Sequence, residues 1–176
     1  MLPVGTRYES ERGTSIGVVS REGDQMSIER TYAPRSGHAD PHYHLDLTQT
    51  WECLEGEGLV EVDGDEQRFA SGDRVVLSPG TPHRDPWLPG EGTLRVRGSF
   101  DPNNPFIEAY TAALAHHLTE GTANRQDDQP LLQIFAIIKE TDGQSFRAGI
   151  PRAVQLASLP LVRLIARLRG YRATYD

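Results

Sequence analysis

His42 and His44 stand two residues apart in Pro41-His42-Tyr43-His44. On a β-strand that spacing puts both imidazoles on one face, where they can grip a single ion. Two histidines so placed are equally compatible with an ordinary solvated strand. Gln49 follows five residues after His44, where a next strand can begin. A third histidine, His83, closes Gly72-Asp73-Arg74-Val75-Val76-Leu77-Ser78-Pro79-Gly80-Thr81-Pro82-His83, in which a strand ends at a Pro-Gly turn.

The elements around these residues read as strands up to Phe100. β-Prone runs at Thr14 to Ser20 and Met26 to Ala33 flank the polar turn Arg21-Glu22-Gly23-Asp24-Gln25. Further strands are expected at His38 to Leu47, Gln49 to Leu54, Gly58 to Asp63, Glu66 to Ala70, Arg74 to Leu77 and Thr93 to Phe100. Gly64-Asp65 between two of them is a hairpin signal. Short strands broken by regular turn signals suggest a sandwich or barrel. The pattern changes at Asp101-Pro102-Asn103-Asn104-Pro105. Asn104 can cap a helix and Pro105 suits its first turn. Phe106, Ile107, Tyr110, Leu114 and Leu118 then recur at helical spacing, ending near Gly121. A second helix is expected from Leu131 to Lys139. A third helical region follows Pro151, and Pro160 should split it. The expected organisation is a β domain over 6–100 and a helical extension over 105–170, packed on the barrel or on a twin subunit.

Composition sets the class. The chain has 176 residues, 18 basic and 25 acidic, with a net charge of −7. That length suits one domain with an appendage. Cys53 is the single cysteine, which excludes an internal disulfide and a cysteine-only zinc site. No apolar run is long enough to span a membrane. The first residues lack a basic stretch followed by an apolar one, so a cytoplasmic location is expected. From Gln144 onward there are six arginines and one acid, a charge of +5, which leaves −12 on the rest of the chain. An acidic body argues against nucleic acid as a partner.

Taken together, these residues resemble the cupin family. Gly37, His42, His44, Gln49 and Gly56 follow its first motif, with one residue fewer between Gly37 and His42 and with Gln49 where glutamate is usual. Gly72, Gly80 and His83 follow its second motif, with Ser78 at the usual proline position and Trp87 where asparagine is common. The resemblance covers about half the chain. It implies a mainly β fold, the double-stranded β-helix or jelly-roll-like barrel, with a metal held inside by both motifs. The implied ligands are His42, His44, Gln49 and His83, and the implied cofactor is a divalent ion: Fe, Mn, Ni, Co, Cu or Zn. A neutral amide in place of a carboxylate leaves the ion its full charge. That weakens retention of hard ions and favours an anionic or polarised substrate. Small cupins with three histidines and a glutamine are known to hold metal, manganese lyases among them. The competing reading is a metal-free cupin whose histidines line a pocket. Three buried imidazoles without partners would then cost several kcal/mol.

Other residues carry weaker signals. Glu52 is a possible substitute ligand, but three residues from Gln49 it should face the other way. Trp51 and Cys53 share the parity of Gln49 and are expected to line the interior, as packing or as pocket wall. Arg95 and Arg97 share a strand face; turned inward, Arg97 would line the pocket and clamp an anion, and turned outward it would be solvated. His116 and His117, adjacent on a helix, point too far apart to chelate together. The functional expectation is a metal-dependent enzyme acting on a small organic molecule, as an oxygenase, an isomerase or cyclase, or a lyase. The alternatives are a non-catalytic small-ligand-binding cupin and a peripheral protein acting through its basic C-terminal helix. In that helix Leu161, Leu164, Ile165 and Leu168 oppose Arg163 and Arg167. Burial of the leucine face against the chain itself or in a homodimer is expected ahead of membrane contact.

Overall fold

The computed structural model describes residues 1–37, 40–140 and 144–172, excepting the side chains of residues 139 and 140. Its elements run β1 (Arg7–Glu9), β2 (Ser15–Glu22), β3 (Gln25–Tyr32), β4 (His42–His44), β5 (Thr48–Glu55), β6 (Glu57–Val62), β7 (Asp65–Ala70), β8 (Arg74–Leu77), β9 (His83–Trp87) and β10 (Leu94–Asp101). Then follow α1 (Pro105–Thr119), α2 (Leu131–Glu140), β11 (Ser145–Arg147) and α3 (Arg152–Leu168).

Two antiparallel sheets form the β domain. One has the order β1-β2-β3-β10-β5-β8 and the other β11-β4-β9-β6-β7. Period-two burial supplies the core between them. Ile16 and Val18, Met26 and Ile28, Trp51 and Cys53, and Leu94 and Val96 all point inward. Two glycines make close approaches possible. Gly98 lies opposite Trp51, and a Cβ there would stand 2.6 Å from the indole. Gly56 has φ +84°, and a Cβ there would collide with the Thr93 carbonyl.

Most expected strands are present with small shifts of their ends. The expected strand from residue 38 is shorter: only His42–His44 is a strand, and residues 38 and 39 lie outside the described residues. Strands β1, β9 and β11 were not foreseen.

The extension is attached to the barrel at several points. The Asn104 side chain accepts a hydrogen bond from the Ile107 N–H at 3.1 Å and opens α1. α1 packs against β1 and β2. Arg21 on β2 grips Glu108 through Nε (3.1 Å) and Nη2 (3.0 Å). In the following loop Asp127 accepts from Thr14 (2.7 Å), Ser10 (3.2 Å) and Arg12 (3.3 Å), which ties that loop to the barrel. β11 then adds itself to the edge of β4, pairing Ser145 with His44 and Arg147 with His42.

Two expectations for the C-terminal region change. Pro160 does not split the third helical region; α3 runs unbroken through it. Leu156, one turn earlier, is exposed, so the carbonyl that proline leaves unpaired can be solvated by water. The leucine face also does not dock on its own chain: Leu161 (63%), Leu164 (54%) and Leu168 (78%) are exposed. Leu159 and Ala166 supply the buried apolar side of α3 instead, on the helix packed against α2.

Candidate metal centre

β4 and β9 are neighbours in the second sheet, with His42 directly opposite His83. One ligand atom from each of His42, His44 and His83 lies within 4.8 Å of the others. Ring centroids are 4.4 Å apart for His42 and His83, 5.1 Å for His42 and His44, and 5.4 Å for His44 and His83. The three histidines could hold a metal ion.

Backbone contacts orient two of the rings. Nδ1 of His42 is 2.9 Å from the Asp40 carbonyl, and Nδ1 of His83 is 2.8 Å from the Thr81 carbonyl. Each Nδ1 therefore carries the proton and donates it, which leaves the Nε2 lone pair free. Burial, reinforced by His42, lowers the His83 pKa to about 4, and burial likewise holds His44 well below the usual range. Both rings are then neutral near pH 7, the form in which imidazole ligates metal. Nε2 of His83, Nδ1 of His44 and Oε1 of Gln49 are buried with no hydrogen-bond partner. Such orphaned acceptors are costly unless something electropositive satisfies them, so the residues fit a bound cation.

Gln49 is 1% exposed on the inner face of β5. Its Nε2 donates to Asp85 Oδ1 at 2.8 Å, which leaves Oε1 as the unpaired atom. Trp51 Nε1 donates to the same oxygen at 3.0 Å. Asp85 Oδ1 is 3.8 Å from Nε2 of His83 and 4.0 Å from Nε2 of His42. Burial alone would raise the Asp85 pKa, but the charges of His42, His83 and Arg30 outweigh it and keep the pKa below its ordinary value. The site therefore contains an ionised carboxylate after all, supplied by β9 rather than by the position of Gln49.

Asp85 was missed because β9 was missed. His83-Arg84-Asp85-Pro86-Trp87 contains a proline and directly follows Pro82, a pattern that reads as loop. The available signal was parity, since Asp85 is two residues from His83 and must share its face.

The other sequence candidates separate cleanly. Glu52 lies on the opposite face of β5 from Gln49, in register with Arg74 and Arg97. Trp51 lines the cavity beside the histidines. Cys53 is buried, with Sγ 3.7 Å from the Glu55 and Gly56 carbonyls, and burial raises its pKa, so it remains a thiol. Arg97 faces outward and donates to Glu29 at 2.7 Å; it does not line the cavity. Arg95 also faces out, toward Glu29 (3.6 Å) and Glu55 (3.4 Å). Salt bridges on a twisted sheet face satisfy both arginines without any ligand.

A cavity of about 140 Å³ opens beside the cluster. The barrel contributes His42, His44, Gln49 and Asp85 to its wall. The extension contributes Tyr110 from α1, Asp128 from the loop, and Ile134 and Phe135 from α2.

Comparison with known proteins agrees with the barrel. Residues 28–98 match the family model of the cupin domain. A curated relative, the L-ectoine synthase of Bordetella petrii, is 29% identical over 103 residues, which is 56% of this chain and 76% of that protein. Similar solved structures include KdgF from a Halomonas species (24% identity, TM-score 0.49, 58% of this chain and 92% of that one). Another is an RmlC-like cupin from Shewanella frigidimarina (18% identity, TM-score 0.45, 57% and 89%). With the family model lying across β4 and β9, the strands that carry all three histidines, the barrel is a cupin domain and the chain belongs to the cupin superfamily.

Proposed function

We propose that this cupin is a divalent-metal-dependent enzyme acting on a small organic molecule held between the histidine cluster and the helical extension. The observation that carries the reading is the convergence of three imidazoles, with buried unpartnered acceptors, beside a cavity that His42 and His44 line. His42, His44 and His83 would hold the ion, and Oε1 of Gln49 would be its fourth protein ligand. A bound divalent ion would act as a Lewis acid toward a substrate oxygen. Asp85 holds the Gln49 amide by its Nε2, which leaves Oε1 as the atom free to ligate. Phe135 and Ile134 add apolar side chains to the cavity wall. Among oxygenase, isomerase or cyclase, and lyase chemistry, the L-ectoine synthase relative makes L-ectoine formation the first activity to assay.

Elemental analysis of the untagged protein tests the proposal, with His83→Ala alongside. Near-stoichiometric Fe, Mn or another first-row ion, lost in the variant by more than about a hundredfold in affinity, is the expected result. Metal absent from the protein, with a co-purified organic ligand retained, would favour a non-catalytic binding module instead.

A further inference from the structure

Of the two orientations open to Arg95 and Arg97 the outward one holds, but a different arginine occupies the interior. Arg30 on β3 is 2% exposed and lines the same cavity as His42, His44 and Asp85. Its guanidinium carbon lies 4.6 Å from the centre of the Tyr32 ring. Nε and Nη2 are both buried and have no hydrogen-bond partner.

A guanidinium cannot shed its charge to relieve this. An unpaired buried cation is among the least favourable groups a fold can hold. The nearby carboxylates do not resolve it. Asp85 Oδ1 is occupied by Gln49 and Trp51, and Asp128 Oδ1 by the Tyr110 hydroxyl (3.1 Å) and the Gln129 N–H (2.8 Å). Among the described residues no carboxylate forms an ion pair with Arg30 within 4.0 Å. Their negative charge stabilises the guanidinium through space and leaves the Nε and Nη2 donors unused.

The two unused atoms form one edge of the guanidinium, and the same chain shows what that edge takes. Arg21 uses its own Nε and Nη2 to hold the two oxygens of Glu108, at 3.1 and 3.0 Å. Arg30 carries the same fork, unfilled and buried, on a side chain that lines a cavity of about 140 Å³. A cavity of roughly 150 Å³ accommodates a benzene-sized molecule. We infer that Arg30 is a carboxylate clamp and that the cavity's ligand is a small carboxylic acid, bound bidentately through Nε and Nη2 with its remainder directed toward the histidine cluster. This deepens the metal-enzyme reading by naming the substrate class, and rests on that reading only for the direction in which the ligand extends.

Calorimetric titration with benzoate and with its neutral isostere benzamide tests the clamp, on the protein as purified and after chelation. The expected result is that benzoate binds more tightly than benzamide by roughly tenfold or more, as befits a charge-assisted bidentate pair. The preference should survive chelation, because it belongs to Arg30 and not to the ion. Arg30→Met should abolish it while leaving metal content unchanged. Arg30→Lys keeps the charge but loses the fork, and should weaken benzoate binding with benzamide unaffected. Equal binding of benzoate and benzamide by the wild-type protein overturns the clamp, whatever the variants do. So does a benzoate preference that persists in Arg30→Met or disappears on chelation. A protein without metal that still shows the Arg30-dependent preference would sink the enzyme reading and leave the clamp standing.

Discussion

The two walls of the cavity are built on different principles. The barrel wall carries the reactive groups, His42, His44, Gln49, Asp85 and Arg30, all on strands whose inward positions alternate with outward ones. The extension wall supplies most of the cavity's apolar side chains, Phe106, Ile134 and Phe135 among them, together with polar groups at Tyr110, Asn124, Asp128, Gln129, Ser145 and Arg147. The cupin family model ends at residue 98, before the first helix. What this chain shares with its family is therefore the wall that can hold an ion. The wall built by the extension lies outside the residues that match the family model. A fold shared across many chemistries leaves selectivity to such added parts.

That division can be broken or sharpened by substitutions on each side. The largest effect is expected from Gln49→Glu. It removes the donor to Asp85 and sets a second carboxylate against it, so in the presence of chelator the protein should lose about 3–5 kcal/mol. In the metal-loaded protein the new charge should slow metal loss to EDTA. Thermal melts with and without chelator, and metal content after dialysis, separate the two effects; unchanged or poorer retention would remove Gln49 from the ligand set.

On the extension side, Gln155 bonds three backbone groups: the Arg147 N–H (3.0 Å), the Arg147 carbonyl (2.9 Å) and the Ile150 carbonyl (2.8 Å). Gln155→Leu should destabilise the protein by about 2–4 kcal/mol. Since it loosens β11, which pairs with the histidine strand, metal affinity should also fall. A stability loss in denaturant melts with metal affinity untouched would show that the two walls are energetically separate.

Gly98→Ala places a methyl against the Trp51 ring, with an expected loss of about 1–3 kcal/mol. Because Trp51 also donates to Asp85, the indole fluorescence should shift along with the melting temperature. The smallest effect is expected at Leu164→Glu, on the exposed face of α3. A single chain should change by less than about 0.5 kcal/mol. If a twin subunit covers that face, sedimentation will instead report a shift toward monomer, and the homodimer expectation would stand on that result.

Much of the barrel wall was legible in the sequence, and physical reasons account for what was not. Parity puts His42 and His44 on one face of their strand and Gln49 and Trp51 on one face of theirs, and the motif resemblance turns both faces inward. Arg30 also lies on an expected strand, yet an arginine within Gln25–Tyr32 reads as solvated because arginine is rarely buried without a partner. The exception coincides with the proposed ligand contact, as expected where function overrides a local rule. β11 is only Ser145–Arg147, too short to show a period, and its partner lies about a hundred residues earlier in the chain. No local pattern can encode such a pairing. Pro160 is the opposite case, a strong local signal overridden because α3 is exposed around it.

The late arrival of β11 has a consequence during synthesis. In the sheet order β11-β4-β9-β6-β7, β11 is the strand that pairs with the outer side of β4. Until Ser145 has left the ribosome, the strand bearing His42 and His44 is an unpaired edge, open to pairing with the same strand of another nascent chain. Pairing across so long a separation is also slow to form. A chain that stalls or is cleaved before Ser145 would thus expose an aggregation-prone edge at two of the histidines that could hold an ion.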